Sequence, residues 1–143
     1  MSKAQNELLN NLDLDDYEDI DQAVLELVNP ETKEKTTSTI TLASKEHPNR
    51  KKLDLTRTRR LRAEYNKKGK LPITDPLDEI DEETDFLVTS TLGWNLLQKG
   101  KPLEFSEANA RALYTNPKLQ WVRAQVMDAL NENAIFIKAS AKA

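Results

Sequence analysis
AVLELVNPETKEKTTSTITLAS, residues 23–44, is the stretch whose reading decides the fold class. Two runs rich in β-branched residues, VLELV and STITL, flank Asn-Pro and a charged loop centred on Lys33 and Glu34. That order predicts a β-hairpin with a loop of about six or seven residues. In the first strand Leu25 and Leu27 share one face, while Val24, Glu26 and Val28 share the other. A lone hairpin is marginal in water, so its apolar face needs helices over it.

The rest of the chain supplies those helices. Residues 47–70 open at a proline and close at Gly69, which predicts a helix over 48–68. Leu53, Leu61 and Tyr65 fall at helical spacing on it, and the remaining surface is almost entirely basic. After LPIT (71–74), Asp75 reads as an N-cap and Pro76 as the first residue of a second helix over 75–97. Asp78, Glu79, Asp81 and Glu82 then occupy its first turns, where the helix dipole favours acids. Its buried stripe reads Leu77, Ile80, Thr84, Leu87, Val88 and Thr91. GKPLEFSEANARALYTNP (100–117) turns two corners. Gly100 and Pro102 make a turn, Leu103 and Phe105 point a short extended piece inward, and Ser106 caps a helix over 107–114. Asn116 caps the last helix, with Pro117 at its first position. Leu119, Val122, Val126, Ala129 and Leu130 form its buried face, the two C-terminal helices filling 106–133. IFIK (135–138) adds a short apolar end, either extended or helical. The expected architecture is α+β: a single domain over 23–138, with one hairpin and about four helices. An acidic disordered tail over 1–22 precedes it, and a disordered end over 139–143 follows.

Charge is segregated along the 143 residues, although the net is only −3. Residues 1–31 hold nine acids against Lys3 alone, and residues 45–70 hold eleven bases against three acids. Residues 75–85 hold seven acids and no base. Such blocks predict electrostatic docking, either within the chain or between copies of it, which admits a homo-oligomer. No apolar run approaches a membrane span, and the opening MSKAQNELLNNLDLDD runs from polar to acidic, the wrong order for an export signal. With no cysteine there is no disulfide framework or thiolate metal site, and a cytoplasmic protein is expected.

Little in the sequence points to catalysis. The one histidine, His47, lies in a Glu-His-Pro turn, and three glycines cannot build a phosphate-cradling loop. The acids of 75–85 have the chemistry to hold Mg²⁺, yet a helix start already accounts for them. The expectation is no enzyme, no cofactor and no metal. The basic helix could track a phosphate backbone with residues 50–62. No helix-turn-helix, zinc-finger or RNA-binding signature accompanies it, and Tyr65 is the only ring nearby. Trp94 and Trp121, joined by Phe105, Tyr114 and Phe136, read as an aromatic cluster, either a core plug or a partner-facing surface.

TLGWNLL (91–97) followed by GKPLEFSEANARALYTNPKLQWVRAQVMDAL (100–130) resembles the phage tail assembly chaperones of long-tailed phages and prophages. The resemblance rests on Trp94, the Gly100–Lys101–Pro102 turn, Phe105 with Ser106, Asn109 with Ala110, Leu113 with Tyr114, Pro117 and Trp121. VNPETKEKTTSTITLASKEHP (28–48) is similar to the hairpin that opens such proteins, so the likeness spans roughly residues 23–137. It implies a small, non-catalytic protein of the host cytoplasm, absent from the mature virion. Its partner would be the long, helical tape measure protein, with tail tube subunits as further partners. No catalytic residue carries over. For such a role Trp94, Leu103, Phe105, Tyr114 and Trp121 are expected to border a partner groove. Arg57, Arg59, Arg60 and Arg62 are expected to steer the encounter. The rival readings are a structural virion protein of the head–tail joint or tail completion, and a nucleic-acid-binding regulator using 50–68.

Overall fold
The 23–44 hairpin forms with the expected facing. Strands β2 (Gln22–Val28) and β3 (Lys35–Ala43) pair antiparallel around a six-residue loop. Asn29 builds that loop. Its Oδ1 accepts from the amides of Glu31 and Thr32 at 2.9 and 3.2 Å, and its own N–H donates to the Glu34 carbonyl at 2.8 Å. Asparagine suits this position because its short side chain imitates a backbone turn. Leu25 and Leu27 face inward, while Val24 and Glu26 face solvent. The structure, a computed structural model, describes residues 11–70 and 76–140. Residues 1–10 of the expected tail, the 71–74 linker, the Asp75 cap and residues 141–143 lie outside the described residues.

Four α-helices follow the hairpin among the described residues, so the fold class is α+β as expected: α1 (Pro48–Lys68), α2 (Pro76–Ser90), α3 (Glu107–Thr115) and α4 (Gln120–Glu132). Their ends follow local chemistry. Gly69, at φ 71°, closes α1 in the left-handed conformation glycine reaches at least cost. Ser106 Oγ accepts from Asn109 N–H at 3.0 Å, and Asn116 Oδ1 accepts from Lys118 N–H at 2.9 Å. A single 3₁₀ turn (Pro117–Leu119) therefore leads into α4.

Several expectations are corrected. The helix expected over 75–97 ends at Ser90, and Thr91–Trp94 form strand β4. β4 lies antiparallel on β3, matching Ile40 to Trp94 and Leu42 to Thr91. The physical reason is the open edge of β3, whose unpaired backbone groups take up a third strand. The tail expected to be disordered to residue 22 instead contains strand β1 (Tyr17–Asp19), paired with β7 (Ile137–Ala139). IFIK itself forms a 3₁₀ turn (Ala134–Phe136) running into β7, in line with a short apolar end, whereas Ala139, expected in the disordered end, is part of that strand. The buried stripe of α2 is shorter than expected. Thr84, Leu87 and Val88 are buried, but Leu77 is 71% exposed and Ile80 is also open, because the first turns of α2 reach beyond the core. On α1 nothing is fully buried, and Leu61 and Tyr65 stay exposed, because that helix packs on one side only, chiefly against α2.

One core lies between the sheet and helices α2, α3 and α4. Leu27, Ile40 and Leu42 meet Leu87 of α2, Leu113 and Tyr114 of α3, Val126 and Leu130 of α4, and Phe136. Arg123 of α4, only 12% exposed along its side chain, ties three helices at the margin of this core. Its Nη1 donates to Thr84 Oγ1 of α2 at 3.1 Å and to the Tyr114 carbonyl of α3 at 2.9 Å, and its Nη2 meets Glu83 Oε1 at 3.0 Å. We expect Arg123→Ala to lower stability by about 2–3 kcal/mol, the scale of charge-assisted hydrogen bonds lost from a desolvated site. Arg123→Lys should restore only part of this, because a compact ammonium lacks the planar fork whose separate nitrogens reach acceptors on two other helices. Urea midpoints of the three proteins measure both effects.

Candidate functional site
An apolar groove of about 410 Å³ opens between the hairpin, the chain after β4 and the start of α4. Trp94, the last residue of β4, is tied to one wall at Leu103. Its indole N–H donates to the Leu103 carbonyl at 2.8 Å, and its ring meets Phe105 edge to face, with centroids 4.9 Å apart at 88°. The Trp94 bond thereby holds the Leu103 backbone in the wall, with Phe105 packed on the indole. Between them the chain makes a tight hairpin: β5 (Leu97–Gln98) pairs with β6 (Lys101–Pro102). Lys99 and Gly100 carry positive φ of 54° and 76°, the combination of a type I′ turn. Leu97, 65% exposed, stands at the mouth.

Leu119, Trp121 and Val122 form the facing wall, Leu27 and Leu96 lie deeper, and Asn29 with Pro30 close one end. Trp121 is 40% exposed, much open surface for a tryptophan. Two side-chain amides fix the frame. Asn95 Oδ1 accepts from Thr39 N–H at 2.5 Å and its Nδ2 donates to the Thr37 carbonyl at 2.9 Å, so β3 stays bound beyond the end of β4. Gln125 of α4 brackets Val28, accepting its N–H and donating to its carbonyl, both at 2.8 Å. The walls are thus set before anything enters, which lowers the ordering cost of binding.

The structure brings only some of the expected partner residues to this groove. Leu103 and Trp121 line it. Trp94 and Phe105 are not among its lining residues: Trp94 bonds the Leu103 carbonyl, and Phe105, 37% exposed, packs on the Trp94 ring. Tyr114 is a correction: it is wholly buried, its hydroxyl sharing a 2.6 Å hydrogen bond with Thr91 Oγ1, and it offers no surface at the groove. Burial pushes the Tyr114 phenol up to about 12, with the Thr91 hydrogen bond opposing that shift. Sequence reasoning missed Asn95, Leu97 and Gln125. Polar amides and a leucine beside a turn carry no periodic signal, and their roles depend on which strand end they meet.

The arginines lie elsewhere, on α1, which lines no part of the groove. Arg57 donates to the Glu82 carbonyl of α2, and Arg60 pairs with the Glu82 carboxylate. Arg50 donates to the Ala43 carbonyl at 3.2 Å and stacks 4.8 Å over the Phe86 ring. Arg57 and Arg60 therefore hold α1 to its neighbour, leaving Arg59 and Arg62 on exposed positions. His47 caps α1, its Nδ1 accepting from Asn49 N–H at 3.1 Å. Among the described residues no group of three or more His, Cys, Asp or Glu side chains is placed to hold a metal ion, and no helix is long and apolar enough to cross a membrane.

Compared with protein-family models, curated proteins and solved structures, the chain finds no match.

Proposed function
We propose that this protein is a phage tail assembly chaperone, a non-catalytic binding protein that holds the tape measure protein while tail tube subunits assemble on it. The observation that carries the reading is the pre-set apolar groove with Trp121 and Leu97 open at its mouth. A long helical protein waiting for its tube exposes apolar stripes, and a groove of this kind covers one stripe at i, i+3, i+4 and i+7 spacing. Holding a chain by mass action needs apolar anchors and no cofactor. The order of residues from Trp94 to Trp121, which resembles that of the family, supports the same reading. In this account the protein works in the cytoplasm of the infected or lysogenic host.

Co-expression with the tail genes tests it. The tape measure protein is expected to stay soluble only when this chain is present, and purified virions are expected to lack the chain. Persistence in virions at a fixed copy number would instead support a structural subunit of the head–tail joint or tail completion.

A further inference from the structure
Helix α1 has a second side that the fold does not use. Arg50, Leu53, Arg57 and Glu64, at spacings of three, four and seven, are its half-buried positions and face α2. Lys52, Leu55, Arg59 and Arg62 recur at three, four and three on the opposite side, all exposed. Three cations thus surround one leucine along roughly 15 Å of helix. At the other extreme of charge, Leu12–Asp19 alternates acids with exposed apolar residues. Leu12 is 80% and Leu14 93% exposed, Tyr17 is also open, and Asp13, Asp15 and Asp19 stand among them. Pairing of β1 with β7 fixes this segment to the body of the molecule. In its own chain it leaves its leucines bare and does not cover α1.

We infer that the outer face of α1 is the docking site for the Leu12–Asp19 segment of a second copy of this chain. Each surface presents what the other lacks: carboxylates for Arg59, Arg62 and Lys52, and leucines for Leu55. Opposite charge attracts and orients the two copies, and burial of leucine surface holds them. A duplex nucleic acid would satisfy the cations but leave Leu55 against phosphate, and the acidic segment would repel it. Every copy carries one of each surface, so the contact either closes reciprocally in a dimer or repeats head to tail. This inference does not depend on the tape measure reading, because it concerns the purified chain alone.

Sedimentation velocity over a range of concentration and salt tests it. At low salt the mass is expected to rise to at least twice that of one chain, and to return to the monomer near ~1 M salt, where the Debye length is about 3 Å. Arg59→Glu/Arg62→Glu and Asp15→Lys/Asp19→Lys are each expected to remain monomeric, yet to associate when mixed, since each then offers the charge the other needs. Leu14→Ser should weaken association at least tenfold with an unchanged circular dichroism spectrum, because so exposed a side chain adds little to folding. A monomer under every condition overturns the inference, as does association that survives both charge reversals. A monomer that retains duplex DNA through Arg59 and Arg62 also overturns it, and assigns the face to phosphate.

Discussion

Replacing Tyr114 with alanine is expected to lower the melting temperature by about 10–20 °C, the largest stability effect of any single truncation among the described residues. Tyr114 sits where α3 meets the sheet and α2, with no exposed surface. Loss of a buried ring of this size costs about 3–5 kcal/mol. A domain of this length has only about 5–15 kcal/mol of stability in all. The hydroxyl contributes less. Thr91 Oγ1 already donates to the Leu87 carbonyl at 2.8 Å, so Tyr114→Phe leaves that oxygen partly satisfied and should cost about 1 kcal/mol. Thermal unfolding followed by circular dichroism separates the two variants.

The same residue makes the fold sensitive to alkali. Burial, opposed by the Thr91 hydrogen bond, holds the Tyr114 phenol at about 12, against an ordinary value of 10.0 in the unfolded chain. The folded value is the higher, so the unfolded state releases the proton first. This contribution is complete below pH 10 and is lost as pH rises from 10 towards 12. A separation of about two units corresponds to roughly 3 kcal/mol. Between pH 9 and pH 11.5 the urea midpoint of the wild type is therefore expected to fall further than that of Tyr114→Phe. Equal falls in both proteins would show that the buried phenol does not govern the transition.

The largest expected effect on binding comes from Trp121→Ala. Recovery of the tape measure protein should fall at least about thirtyfold, the equivalent of a 2 kcal/mol anchor at the centre of an interface. Folding should change little by comparison, because the indole is 40% exposed and lies outside the buried core. Leu97→Asp at the groove mouth is expected to act in the same direction, placing a charge where an apolar helix face must dehydrate. Trp94→Ala differs in kind. It removes the hydrogen bond that holds Leu103 and the ring contact with Phe105, and should lower both affinity and melting temperature. Affinity and melting temperature measured on all three proteins distinguish an anchor from its support.

Local chemistry made some elements legible in the sequence. Asn29 makes its own loop, Ser106 and Asn116 accept amide bonds two or three residues ahead, and Pro48, Pro76 and Gly69 suit only certain helix positions. The elements that depart from the sequence pattern depend on distant partners. LVTSTLGW continues the pattern of α2, and only the unfilled edge of β3 makes its second half a strand. Tyr17–Asp19 carries two acids and no strand pattern, but the backbone of Ile137–Ala139 pairs with it. The groove was half legible for the same reason. Of the residues expected to border a groove, Leu103 and Trp121 line it, whereas Tyr114, equally aromatic and close in sequence, points into the core. Periodicity shows which residues share a face but not whether a second layer covers that face.

The most direct test of the central claim is amide hydrogen exchange on this chain, free and co-purified with the tape measure protein. Added protection is expected at the groove, in 27–30, 96–99 and 119–122, with α1 exchanging as it does in the free chain. Protection gathered on α1 with the groove unchanged, or failure to recover any such complex, would contradict it.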